Sequence, residues 1–229
     1  MATRRSYGSY NDGCAAAHAL DLVGERWTLI VVRELLLGPK RFSDLQRDVL
    51  GIGPATLAQR LRDLERHGIV HRRPWPGPGR AEVYEVTGWG QGLETVNNAL
   101  SAWAVASPAM PFEADMSPDT LVLAMRAHAR ATAGERDQIV SLALTDTRRA
   151  EGPRPAPVTY RAHLTDRGTT VVRDDAPGPT DAQIQATTGD WKACVIAGAQ
   201  FEERPQVTVA GDHAAARRLL EATALRVDA

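Results

Sequence analysis

Cysteine is scarce in this chain of 229 residues: Cys14 and Cys194 are the only two, and they lie far apart. Two such thiols build no disulfide framework and fit a reducing compartment. No stretch approaches the 18 consecutive apolar residues of a membrane span. The opening MATRRSYGSYNDG holds two arginines with no apolar run behind them, which argues against a secretory signal. The expectation is therefore a cytoplasmic protein with no membrane partner. Chemistry-bearing patterns are absent too: no Gly-x-Gly-x-x-Gly after a strand, no P-loop and no nucleophile motif. The six histidines, His18, His67, His71, His128, His163 and His213, do not cluster at ligand spacing. His67 and His71 are four apart, but the chain leaves its helix between them. The sequence thus predicts neither an enzyme, nor a metal site, nor a bound cofactor.

Hydrophobic residues make up 43% of the chain, enough to fill one large core or two small ones. The net charge of −1 hides an uneven distribution, because residues 40–80 alone hold 9 basic and 4 acidic side chains. A local basic patch on a near-neutral protein is compatible with contact to a polyanion, and also with a solvated face. Only placement separates the two.

Residues 13–37 are rich in Ala and Leu and free of proline. Leu20, Val23, Trp27, Ile30, Val31 and Leu35 fall near an i, i+3/i+4 stripe, which predicts one or two abutting helices stopped at 38–40. Ser43 followed by Gln46 has the pattern of a capping box, so a short helix is predicted to begin at Ser43 and to break at Gly51 and Gly53. A longer helix is predicted over 54–67, with Pro54 at its first position and Gly53 as its cap. Leu57, Leu61 and Leu64 then face a core. Ala55, Gln59, Arg62 and Arg66 face the other way, with Thr56 and Asp63 on one flank, and the arginines read as like charges without matching acids. Two helices joined by a short Gly-containing turn, the second with a basic outer face, is the helix-turn-helix plan.

Residues 69–75 and 81–87 alternate apolar and polar around the loop PGPGR, which predicts a hairpin and hence a wing. Thr87 can cap a further helix in which Leu93, Val96, Leu100 and Trp103 form an apolar stripe, read as a dimer interface. The proline-rich segment 107–118 reads as a linker between a domain over 1–106 and a second over 119–229. In the second, Ser117-Pro118 opens a helix. Strands are predicted in 137–146, 158–174 (turning at 166–168) and 205–212, and helices over 179–198 and 212–225. Strands followed by helices suggest α+β rather than a parallel sheet.

Several motifs carry a resemblance. Gly24-x-x-Trp27, Gly38-Pro-x-Arg-Phe-Ser43, Leu61-x-x-Leu-x-x-x-Gly-Ile-Val-x-Arg72 and Tyr84-x-x-Thr-x-x-Gly90 occur in that order. Over about residues 13–106 the chain resembles the HxlR-type (MarR-like) winged helix-turn-helix transcription regulators. The resemblance implies a homodimer, joined through terminal helices, that binds a double-stranded DNA operator, more often as a repressor than an activator. Gly53 departs from the family, which usually has Ser as the recognition-helix cap. Residues 115–226 resemble the SCP-2 (sterol carrier) fold through the opening helix, the short sheet, ATTGDWKA and the closing VTVAGDHAAARRLL. That likeness implies a sheet covered by helices around an apolar tunnel, hence a ligand-sensing domain. The fold expected is α+β, a winged helix-turn-helix domain followed by an SCP-2-like α+β domain.

On this reading the start of the 54–67 helix enters the major groove at Pro54. Ala55 meets a thymine methyl, and Thr56 and Gln59 bond base edges, glutamine to adenine being the favoured pairing. Arg60, Arg62 and Arg66 are placed for phosphates, as are Arg41 and the helix start at Ser43. Arg72, Arg73 and Arg80 belong to the wing and suit a narrow minor groove. In the second domain Leu121, Met125, Leu142, Leu144, Tyr160, Trp191 and Val195 are the candidate lining for an apolar small-molecule effector, although each alone also reads as core. Cys14 has two readings. The resemblance implies a redox-sensing thiol in some members, whereas its sequence neighbours favour a buried structural one; Cys194 reads as core. The function expected is a sequence-specific, ligand-responsive, homodimeric DNA-binding repressor. The alternative is a lipid or small-molecule module whose winged domain mainly dimerises.

Overall fold

The computed structural model describes residues 9–75, 81–132, 136–148, 155–174 and 178–225. The chain forms two compact units, residues 1–106 and 107–229. In the first, helices α1 (Ala15–Val23) and α2 (Thr28–Leu35) precede strand β1 (Lys40–Arg41), helix α3 (Phe42–Asp48) and helix α4 (Pro54–Arg66). Strands β2 (Val70–Pro74) and β3 (Glu82–Val86) form an antiparallel hairpin, and β1 pairs with β3 on its other side. Short α5 (Gly88–Gln91) and α6 (Leu93–Ala104) complete the unit. Its core is Val31, Val32 and Leu35 of α2, Leu45 of α3, Leu57, Leu61 and Leu64 of α4, and Val83 of β3.

One ion cluster is buried with these apolar side chains. Lys40, 5% exposed, donates from Nζ to Glu34 and to Asp48, each at 2.9 Å. It thereby ties β1 to α2 and α3. Breaking such a buried pair strands a charge and costs about 3–5 kcal/mol.

The cap of α3 lies two residues before the predicted one. Arg41 is the N-cap, and its backbone N–H donates to the Asp44 carboxylate at 3.2 Å. Ser43 is already inside the helix and exposed, and Gln46 instead donates to the Ile52 carbonyl at 2.6 Å. A carboxylate three residues into the helix serves the capping role as well as Gln does, so Arg41 and Asp44 form the pair that Ser43 and Gln46 resemble.

The Thr-x-x-Gly pattern has a steric origin. Thr87 accepts from the Gly90 N–H at 3.0 Å as cap of α5, while its own N–H donates to the Ile69 carbonyl at 2.9 Å. A Cβ on Gly90 would overlap that same carbonyl oxygen, so any side chain there would push the helix off the hairpin.

The second unit opens with α7 (Pro118–Ala127), capped by Ser117. Strands β4 (Gln138–Thr145), β5 (Val158–Leu164), β6 (Thr169–Arg173), β7 (Ala182–Thr187) and β8 (Thr208–Gly211) form one sheet in the order β6-β5-β4-β7-β8. Helix α8 (Thr188–Ala197) and helix α9 (His213–Thr223) follow β7 and β8. All strand pairs are antiparallel except β4 with β7, so the sheet is mixed. Val140, Leu142, Leu144, Tyr160, Ala162, Leu164, Ala182 and Ile184 are buried, and they alternate along the strands with more exposed neighbours.

Two expectations change here. Residues 179–198 are not helical throughout: AQIQAT is β7, and the helix starts only after Thr187, whose hydroxyl accepts from the Asp190 N–H. The alternation Ala-Gln-Ile-Gln-Ala has period two, the mark of a strand with one face inward. In the segment read as a linker, the Phe112 and Ala114 carbonyls accept from Lys192 Nζ, the latter at 2.7 Å, so this stretch packs within the second unit.

Candidate nucleic-acid interface

Helix α4 sets the geometry. Its three leucines are fully enclosed, which fixes its rotation about its own axis and directs the opposite side outward. Gly53 precedes Pro54 in extended conformation, and His67 with Gly68 ends the helix, Gly68 turning at φ +70° where only glycine sits without strain. Pro54, Ala55, Thr56, Arg62 and Arg66 are exposed, and Gln59 is half-buried on the same side. Arg60 lies on the flank, its side chain only 16% exposed.

The face is not the run of unmatched cations that the sequence suggested. Asp63 accepts from Gln59 Nε2 at 3.0 Å and from Arg66 at 2.9 Å, and lies 3.6 Å from Arg60. Arg60 also meets Glu25 at 3.3 Å. Arg62 donates to Gln59 Oε1 at 2.6 Å. The i, i+3 spacing of Asp63 from Arg60 and Arg66 is readable in the sequence; a count of acids over the segment, rather than along the helix, hides its weight.

The same holds beside it. Arg41 donates to Asp44 at 2.9 Å, Arg47 reaches Asp44 at 3.1 Å, and Ser43 stays exposed between them. Burial raises the Asp44 carboxyl, but the hydrogen bonds and charges of Arg41 and Arg47 outweigh it and hold the group below its ordinary range.

In the hairpin, Arg72 opposes Tyr84 and Arg73 opposes Val83. Consecutive strand residues point to opposite faces, so the two arginines diverge. Arg72 bonds Glu82 at 3.1 Å, and Arg73 bonds Glu85 at 2.5 Å. These acid partners depend on cross-strand register and could not be read from spacing. Arg80, expected at the loop tip, lies outside the described residues.

The magnitudes decide what these pairs imply. An exposed pair such as Arg66–Asp63 contributes about 0.2–1 kcal/mol and weakens with salt. Double-stranded DNA carries about one phosphate charge per 1.7 Å, and its neutralisation releases counterions. Carboxylate partners of this strength orient the arginines and offset their charge only in part.

Helix α6 has no buried residue: Leu93 is half-buried, while Val96, Leu100 and Trp103 are exposed, Trp103 by 80%. Cys14 corrects the expectation of a buried thiol. It is exposed at the N-cap of α1, where the backbone N–H groups of Ala17 and Ala16 hold it below its ordinary range. Cys194 is buried, and burial pushes its thiol up to about 11. Leu121, Met125, Leu142, Leu144, Tyr160, Trp191 and Val195 are fully enclosed in the second unit. No group of three or more His, Cys, Asp or Glu at metal-binding distance occurs among the described residues. Among them, too, no helix is long and apolar enough to cross a membrane.

The HxlR-like helix-turn-helix family model matches residues 22–109. The HTH-type transcriptional regulator YodB of Bacillus subtilis is 35% identical over 86 residues, covering 38% of this chain and 77% of YodB. The chain belongs to the HxlR-like helix-turn-helix family. The HTH-type transcriptional regulator YvaP of Bacillus subtilis is 34% identical over 87 residues, which are 38% of this chain and 80% of YvaP. The HTH-type regulator Rv3095 of Mycobacterium tuberculosis is 39% identical over 92 residues, 40% of this chain, and the match spans only 58% of that relative's length. Among solved structures, reduced YodB from Bacillus subtilis matches at 32% identity over 42% of this chain and 95% of that one, with a TM-score of 0.39. The family match ends at residue 109, close to where the first compact unit ends.

Proposed function

We propose that this HxlR-like chain is a sequence-specific, DNA-binding transcription regulator, acting in the cytoplasm as a homodimeric repressor and not as an enzyme. The observation that carries this reading is α4. Its start, Pro54, Ala55 and Thr56, stands clear of the unit at the end of a helix whose other side is locked into the core. Those residues and Gln59 would meet base edges in the major groove. Arg41, Ser43, Arg60, Arg62, Arg66, Arg72 and Arg73, with Arg80 at the loop, would hold phosphates and the minor groove. Dimerisation through Leu93, Val96, Leu100 and Trp103 would set two α4 helices about one helical turn of DNA apart.

The second unit is proposed as an SCP-2-like ligand-sensing domain. A five-stranded sheet followed by helices α8 and α9 and preceded by α7 supports this reading, and Leu121, Met125, Leu142, Leu144, Tyr160, Trp191 and Val195, all closed to solvent, would have to part to admit the ligand. An apolar effector held there would shift the protein between states of different operator affinity.

A second reading draws on the acid partners of Arg72 and Arg73: a small-molecule module whose winged unit mainly dimerises. Selection of duplex DNA from a random pool separates the two. The regulator reading expects one enriched pseudo-palindrome. Neutralising about six phosphates per dimer predicts a slope of log K against log salt near −5. Arg72→Ala with Arg73→Ala then weakens every sequence alike, and Gln59→Ala relaxes one base pair per half-site. Binding that is flat across sequences favours the second reading.

A further inference from the structure

Gln59 is held between opposite charges. Its Nε2 donates to the Asp63 carboxylate at 3.0 Å, and its Oε1 accepts from the Arg62 guanidinium at 2.6 Å. A carboxamide turned end for end would set its NH2 against a guanidinium and its oxygen against a carboxylate, and both contacts would be repulsive. The two partners therefore fix which end of the amide faces which way. They also leave it half free, since a carboxamide has two N–H donors and two lone pairs and each partner uses one.

Asp63 does more than orient Gln59. The same carboxylate takes Arg66 at 2.9 Å and lies 3.6 Å from Arg60, so one acid on the flank of α4 ties three side chains of the outward region. Glutamine reads adenine through one donor and one acceptor together, which demands a fixed amide plane and a known end. Phosphate binding demands only a reachable cation.

We infer that Asp63 is the specificity-determining positioning residue of α4: it fixes the reading direction of Gln59 and restrains Arg60 and Arg66, trading sequence-independent affinity for base discrimination. The inference rests on the DNA-binding reading above. Asp63 touches no base in this scheme. It acts through Gln59, whose adenine-reading donor and acceptor it keeps in register, and through two arginines whose positive charge it partly offsets. Without the acid Arg60 keeps Glu25 at 3.3 Å, and the charge released is chiefly that of Arg66, which would reach phosphates at any sequence, so such a site binds more DNA and reads it less well.

The test is Asp63→Asn in the full-length protein. Asparagine is the same size but neutral, and it can offer Gln59 either end of its own amide. Binding is measured on the selected operator, on single-base-pair variants of it and on random duplex, each over a salt series. Discrimination at the base pair read by Gln59 should fall by about 5–10-fold, and other positions should keep theirs. Binding to random duplex should tighten, and its log–log salt slope should steepen by about 1 for each further phosphate neutralised. Asp63→Glu, which keeps the charge, should restore most of the discrimination.

Arg62→Met removes the other orienting partner. It should relax the same base pair while making the salt slope shallower, the opposite sign to Asp63→Asn, and Asp63→Ala repeats the test of the acid if the Asp63→Asn variant does not fold. Wild-type discrimination and slope in both variants would overturn the role of Asp63 and leave DNA recognition standing. A wild-type protein with no base preference and no salt-dependent duplex binding would overturn both.

Discussion

The Tyr160 hydroxyl donates to the Asp119 carboxylate at 2.6 Å, across from β5 to the first turn of α7, with both residues closed off from solvent. Arg173 on the edge strand β6 stands 3.5 Å from the other carboxylate oxygen. An acid with almost no exposure is tolerable only with such partners, because an ionised carboxylate without them would be too costly to enclose. The contact pins the opening helix of the second unit to its sheet.

Tyr160→Phe tests that pin while keeping the ring and its volume. Losing the donor leaves Asp119 less well satisfied, which should lower the stability of the second unit by about 1–3 kcal/mol in a urea or thermal unfolding transition. A change below about 0.5 kcal/mol would mean that the ring alone holds α7 in place.

The two thiols should behave as opposites. With its titration lowered below the ordinary 9.0, Cys14 carries more thiolate near neutrality than a free cysteine does. Alkylation of the native protein should modify Cys14 alone, with a rate–pH midpoint below 9.0, while Cys194, pushed to about 11 by burial, reacts only after unfolding. Mass spectrometry of the labelled protein checks this, and labelling of Cys194 at the same rate would contradict it.

The outer face of α6 should govern self-association. If Trp103, Leu100 and Val96 meet their own copies, Trp103→Ala should cost about 2 kcal/mol of association, roughly a 30-fold weaker dimer. Sedimentation at graded concentrations reads this directly. Unchanged self-association would move the interface elsewhere.

Much of the winged unit is legible in the sequence because its signals are local. Leu57, Leu61 and Leu64 repeat at helical spacing, Pro54 and Gly68 mark the ends of α4, and Thr87 caps α5 within three residues. Each is settled by chain geometry over one or two turns. The α3 cap differs by two residues because Ser43 and Asp44 both offer capping chemistry, and only the helix itself chooses between adjacent starts. The first half of 179–198 reads as helix because Ala and Gln suit helices in isolation; pairing with β4 and β8 overrides that preference.

What the sequence determined by itself is which faces are apolar and where the elements break, since both follow from the spacing of side chains along a regular backbone. Tertiary structure alone decided who stands beside whom: Arg73 with Glu85, Tyr160 with Asp119 and Lys40 with Glu34 and Asp48. It also left Cys14 in the open and enclosed Cys194. Those outcomes depend on strand register and on which faces pack together, and the work of burying a charge or a thiol arises only once the chain has closed around it.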